Sequence, residues 1–327
     1  SDVCSSDLES CGNVHLGRIH QALPEVDASE VDVSARFAGR DLGAPLMILG
    51  MTGGTASAKA INRDLARVAE RLGIALGLGS QRAMLAAPDL ASSYAVRDVA
   101  PDVFLAGNLG GVQLARTPID KVRSLVAQVG ADALCIHLNP AQELVQPEGD
   151  RDFRGIEAAI ASAVRELPVP ILVKEVGAGI GRETATRLRD LGVRFVDVGG
   201  AGGTSWVGVE LRRRGKAGDA DLCAFEGWGI PTAAAIVEVS DLGLEVVASG
   251  GIRTGLEVAK AIALGASIAG VAAPVLRAWF DGGAAGVSRW LEDLIDGLRT
   301  AMVLTGSRRL TDLRTAPRVL TGPLLDW

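Results

Sequence analysis

A chain of 327 residues is long enough for two ordinary domains, although an α/β barrel commonly takes this length as one. Its 33 basic against 39 acidic residues leave a net charge of -6, which excludes the broad basic footprint of a nucleic-acid binder, so any affinity for phosphate must be local. A long uncharged run, Ala261 to Leu276, falls short of a bilayer span and is interrupted by Gly265, Gly270 and Pro274, so no membrane segment is expected. Cys4, Cys11, Cys135 and Cys223 show neither metal-ligand spacing nor the framework of a small secreted protein, which points to the cytosol.

The first eight residues, SDVCSSDL, read as the translation of a common DNA-sequencing adapter, so residues 1–8 are set aside as an artefact and the native chain is expected to resume near Glu9. Residues 9–43 read as an N-terminal lead-in with a short hairpin, and His15 and His20 within it are secondary candidates for function. From 44 to 327 a strand and helix unit recurs in kind. Strands are expected at Pro45–Leu49, Ile74–Leu78, Val103–Ala106, Ala133–Ile136, Ile171–Val173, Phe195–Val198, Glu245–Ala248 and Ile268–Ala272. Helical spacing of apolar residues predicts helices over Ser57–Leu72, Ile119–Val129, Phe153–Glu166, Thr184–Leu191, Thr232–Leu242, Leu256–Leu264 and Gly286–Leu304, with Gly73, Gly130 and Pro168 as stops. A further helix around Ala91–Val99 has the faintest pattern. About eight strands alternating with about eight helices predict a (β/α)8 TIM barrel; a doubly wound sheet is the other arrangement.

In such a barrel the residues after each strand carry the site. The first strand is followed by Met51-Thr52-Gly53-Gly54, the second by Ser80-Gln81-Arg82, the third by Asn108 and the fifth by Lys174. The fourth is followed by HLNPAQELVQPEGD, in which His137, Asn139, Gln142 and Glu143 stand together where Asn139-Pro140 ends the strand. A lone His in an apolar strand is usually a satisfied core residue; an Asn, a Gln and a carboxylate beside it point to a site. The sixth strand leads into a glycine run, Gly199 to Gly203, with Thr204. After the seventh, Gly250, Gly251 and Arg253 precede a helix starting near Thr254, whose positive end would favour a phosphate. A cation at Lys174 suits an electron-rich ring or an anion. Neither a Ser-His-Asp arrangement nor an activated Cys is visible.

HLNPAQELVQPEGD closely resembles the signature of the type 2, flavin-dependent isopentenyl-diphosphate isomerases, and MTGG, GSQR, NLGGVQL, VKEVGAGI, GAGGTSW, WGIPT, SGGIRTG and LTGSRRLTDL follow in that family's order over most of the chain. The resemblance implies a barrel that holds FMN, reduced by NADPH, and that uses Mg to interconvert isopentenyl and dimethylallyl diphosphate without net redox change. It assigns FMN to Met51, Thr52, Gly53, Ser80, Asn108, Lys174, Thr204, Gly250, Gly251, Arg253, Ala272 and Ala273. Substrate falls to Ser80, Gln81, Arg82 and Gln142, Mg to Glu143, and the space between flavin and diphosphate to His137 and Asn139, with Gln142 orienting the alkene. A site of this kind needs one or two protein carboxylates, because phosphate oxygens and water complete the metal's shell. The family also implies a homo-oligomer.

Departures from its pattern are Ala273, where a basic residue is expected, Gly107 and Gly199, where alanine is commoner, and the family's N-terminal Arg-Lys segment, expected to be missing where SDVCSSDL stands. Two other functions fit the same fold: an FMN-dependent 2-hydroxy-acid oxidoreductase, which would share the glycine loops and Lys174 but needs a His-Arg pair near the seventh strand, and a non-catalytic phosphate-binding barrel.

Overall fold

The computed structural model describes residues 15–215, 220–325 and 327. The SDVCSSDL segment, Cys4 and Cys11 lie outside them. Eight parallel strands close into a barrel: β1 (Leu46–Ile48), β2 (Ala75–Gly77), β3 (Leu105–Gly110), β4 (Ala133–Leu138), β5 (Ile171–Glu175), β6 (Phe195–Asp197), β7 (Glu245–Ala248) and β8 (Ile268–Val271). Each strand pairs with the next in sequence, and β8 returns to β1.

Alternation along the strands decides what faces where. Ile48, Leu76, Ile136, Val173 and Val246 point outward into the layer shared with the helices. Met47, Ala75, Ala106, Cys135, Leu172, Phe195, Val247 and Ile268 point inward and meet in a second apolar cluster. The hairpin expected in the lead-in forms between Ala35–Phe37 and Arg40–Leu42 and joins this cluster from the strands' N-terminal end. Phe37 sets its ring edge-on to Phe104 and Phe195, with centroids 5.9 and 5.6 Å away, and the Ala38 N–H donates to Glu245 at the start of β7. Burying a side chain of this size is worth about 1.5–3 kcal/mol. That end of the barrel is therefore filled and shut.

Helix Ala56–Leu72 shows why the periodic segments fold as expected: Thr55 caps its first turn by accepting from the Ala58 N–H, Gly73 ends it at φ 63°, and Ile61, Leu65 and Val68 lie on its buried face. Two expectations are corrected. Ala91–Val99 forms no α-helix; a five-residue helix at Arg82–Ala86 and a 3-10 turn at Pro88–Ser93 take its place, because Asn62 and Gly54 draw off Ser93's carbonyl and hydroxyl. The helix expected over Gly286–Leu304 follows a break in helical backbone at Gly282 and Gly283, and a separate helix that the spacing did not reveal starts before that break, at Ala273. Among the described residues, no helix is long and apolar enough to cross a membrane.

Candidate active site

At the strands' C-terminal end the barrel interior changes character. One step of two residues beyond Ala106, Cys135, Leu172, Phe195 and Val247 lie Asn108, His137, Lys174, Asp197 and Ser249, a polar belt capping the apolar interior. Asn108, His137 and Lys174 were expected just after their strands; β3, β4 and β5 run farther, and register places Gly110 beside His137 and His137 beside Lys174. The ladder thus holds these side chains inside the mouth instead of on mobile loops.

His137 Nδ1 lies 2.9 Å from Asn108 Oδ1, and Asn108 Nδ2 donates to the Leu78 carbonyl at 3.0 Å. Since that carbonyl can only accept, the Asn amide is fixed with its oxygen toward the ring, so Nδ1 donates and Nε2 keeps its lone pair. Burial, then the charges of Lys174 and Arg82, hold the imidazole far below its usual range, at about 3. His137 is a neutral, oriented acceptor at physiological pH.

Loops one and two are tied together by residues that the sequence did not single out. Tyr94 is completely buried; its hydroxyl donates to the Ser80 carbonyl at 2.7 Å, and a Cβ on Gly53 would come within 2.1 Å of its ring. Thr52 Oγ1 donates to Asn62 Oδ1, whose amide nitrogen donates to the carbonyls of Thr52 and Ser93. Ser80 and Arg82 are exposed at the mouth and Met51 is half-buried. Gln81, expected to face substrate, is instead enclosed: its oxygen accepts from the Asn108 N–H at 2.9 Å and its nitrogen reaches Met84 Sδ. The dense packing around Asn108 uses up its amide.

Gln142 and Glu143, expected on a loop, stand on a short helix, Pro140–Val145, because a proline at the first helical turn sacrifices no hydrogen bond. Asn139 Nδ2 lies 3.1 Å from both Gln142 Oε1 and Glu143 Oε1, and Glu143 Oε2 accepts from the Asp150 N–H at 2.7 Å. Each carboxylate oxygen thus has one donor and a lone pair left over, which suits one protein ligand to Mg. Among the described residues no cluster of three acidic, His or Cys side chains could hold a metal alone, so a metal at Glu143 would need its other ligands from outside the chain. Beside His137 and Asn139, an apolar cavity of about 190 Å³ opens between Leu138, Phe153, Ile156 and Leu188.

The glycine loops after β6 and β7 meet on the opposite side of the mouth. A Cβ on Gly203 would lie 2.9 Å from the Gly251 nitrogen and one on Gly250 would lie 2.1 Å from the Gly200 carbonyl, while Gly250 and Gly251 have φ of 108° and 94°. Only glycines allow this seam. Arg253 bridges it, donating to the carbonyls of Gly251 and Gly202, and Thr204 is exposed above. The helix after β7, Gly255–Leu264, was expected to offer its positive end to a phosphate. Its Glu257 carboxylate already accepts from the Arg253 and Thr254 N–H groups, so that end is neutralised from within. The helix beginning at Ala273, with Ala272 as a cap lacking any side-chain bond and no acid in its first turn, is the open positive end. Close backbone, Lys174 and this helix end together suit a flat ring with a phosphate.

The match to the family of FMN-dependent dehydrogenases covers residues 152–319. The chain is 47% identical over 325 residues to an isopentenyl-diphosphate delta-isomerase of Thermococcus onnurineus, covering 96% of this chain and 86% of that one. Against the Halobacterium salinarum enzyme of the same name it is 48% identical over 336 residues, covering 99% and 92%. In three dimensions it resembles a mandelate oxidase carrying an FMN adduct, with a TM-score of 0.65, 21% identity and 94% and 88% coverage. A Pediococcus acidilactici lactate oxidase gives a TM-score of 0.69 at 16% identity, covering 94% and 84%. The two oxidases share the fold alone; the sequence relatives share far more, and the chain belongs to the isopentenyl-diphosphate delta-isomerase family within the FMN-dependent barrels.

Proposed function

We propose that this protein interconverts isopentenyl and dimethylallyl diphosphate, with FMN held in the barrel mouth and Mg at Glu143. The observation that carries the reading is the neutral His137, oriented by Asn108 and set between Lys174 and the Asn139-Gln142-Glu143 cluster. Moving a double bond requires a proton added at one carbon and one removed from another. When bound and reduced, FMN supplies a group that gives and recovers a proton and stabilises positive charge on the substrate.

The chain's own residues bind, orient and screen. Lys174, Asn108 and the Met51-Thr52-Gly53 and Gly250-Gly251 backbones would hold the flavin, with Thr204, Arg253, Ala272 and Ala273 around its phosphate. Ser80 and Arg82 would receive the diphosphate, Glu143 would give one oxygen to Mg, and Gln142 would orient the alkene. His137 and Asn139 would line the space between them, where Nε2 offers a fixed acceptor. NADPH as reductant, a cytoplasmic location and assembly into a homo-oligomer complete the proposal.

The oxidase-like fold favours a second reading, oxidation of a 2-hydroxy acid. Incubating the protein with isopentenyl diphosphate and Mg, in the oxidised and the reduced state, and analysing the products separates the readings. Dimethylallyl diphosphate from the reduced form alone supports isomerisation. Flavin reduction by a 2-hydroxy acid, with no isomer formed, supports the oxidase, and no reaction with either supports a non-catalytic phosphate-binding barrel.

A further inference from the structure

Of the carboxylates at the mouth, Asp197 is set apart. Glu143 has a donor on each oxygen, and Glu175 accepts from three successive backbone N–H groups, those of Val176, Gly177 and Ala178. Asp197 is 1% exposed and is anchored through Oδ1 only, by the Ser249 hydroxyl and the Gly199 N–H, while its Oδ2 is buried with no partner. The other buried orphan oxygens among the described residues belong to Glu70 and Glu257, on helices outside the strands. A buried oxygen without a donor loses its water and gains nothing in return, so its retention calls for an explanation.

Its surroundings supply one. Asp197 on β6 is the register partner of Lys174 on β5, and both point inward. The two charges act on each other, and both act on the Cys135 thiol, which points inward one step below on β4. Burial pushes the Asp197 carboxyl upward and the ammonium opposes that push. Lys174 gives one of its three donors to its own strand, at the Glu175 carbonyl 2.8 Å away.

We propose that Asp197 is the fixed counter-charge of Lys174, a positioning residue that faces the ammonium from the neighbouring strand without a direct ion pair and thereby sets how strongly the mouth favours reduced over oxidised flavin. The proposal rests on the reading that FMN lies beside Lys174. A carboxylate facing that ammonium weakens the positive field on the flavin and disfavours the electron-rich reduced ring; removing it reverses the effect.

The test is the midpoint potential of the bound flavin in the wild type and in Asp197→Asn, which keeps the shape and removes the charge. The expected result is a roughly tenfold gain in the ratio of reduced to oxidised FMN affinity, a positive shift of about 30 mV for a two-electron couple. A merely structural role would weaken both forms alike and leave the potential unmoved; that outcome overturns the proposal. Should the variant fail to fold, Lys174→Met tests the pair from the other side. Infrared difference spectra should then show one buried carboxyl gaining a proton, and an unchanged carboxyl region overturns the pairing. A wild-type protein that takes up no FMN defeats the underlying reading, and this proposal with it.

Discussion

The two ends of the barrel are built from the same strands and by opposite rules. At the N-terminal end, Phe37, Phe104 and Phe195 lock edge to face in one apolar cluster with Met47 and Leu172. Two residues farther along the same strands come Asn108, His137, Lys174 and Asp197. The first end gains stability by excluding water from apolar surface. The second spends some of it on desolvated polar groups, held in place by ladder register and by braces such as Tyr94 and Gln81. Stability and function are thus separated along the barrel axis.

Substitutions at each end should break this separation if it is false. The largest effect is expected at the closed end: Phe37→Ala removes the centre of the aromatic cluster and should cost about 3–5 kcal/mol in denaturant unfolding, with FMN affinity of the folded protein nearly unchanged. A loss of flavin parallel to the loss of stability would contradict the separation.

At the open end, Glu143→Gln keeps the side-chain shape and exchanges a charged oxygen for a neutral one. The Mg concentration giving half-maximal activity should rise at least about tenfold while the melting temperature moves little. Full activity at unchanged Mg would remove Glu143 from the site. Tyr94→Phe deletes a single hydroxyl from a filled space and leaves the Ser80 carbonyl without its donor, for a cost of about 1 kcal/mol. The expected signature is a few-fold weaker binding of flavin and diphosphate together, because the same brace supports loops one and two. An effect on stability alone would make Tyr94 a packing residue.

The last effect is one of pH. The folded His137 is held at about 3 against an unfolded value of 6.5, so the unfolded chain binds the extra proton in that window. Its contribution to stability is fully present above 6.5 and is lost as pH falls toward 3, with a slope of at most about 1.4 kcal/mol per pH unit. His137→Gln should flatten the acid limb of the stability profile. An unchanged limb would mean that the ring is charged in the folded state.

Much of this was legible in the sequence because it is periodic. All eight strands, the lead-in hairpin and most helices announced themselves by spacing and by stops such as Gly73 and Gly130. The residues after the strands marked the mouth. Three kinds of information were not local. Strand ends were set too early at Asn108, His137 and Lys174, since a polar side chain ends an apolar pattern without ending a ladder. The enclosure of Gln81 and the brace of Tyr94 depend on which loops meet in space. The neutralised helix end at Thr254 depends on the Glu257 rotamer, although a Thr followed three residues later by Glu is a readable signal for such a cap. Asp197 was passed over as part of an apolar strand, and only its unpartnered oxygen marks it.

The central claim, that the open end moves protons without consuming electrons, is tested most directly by counting turnovers per reduction. The protein is reduced once, excess reductant is removed under anaerobic conditions, and isopentenyl diphosphate is supplied in large excess with Mg. The account predicts many molecules of dimethylallyl diphosphate per flavin, with the flavin still reduced at the end. One product per flavin, or oxidised flavin appearing in step with product, would contradict it.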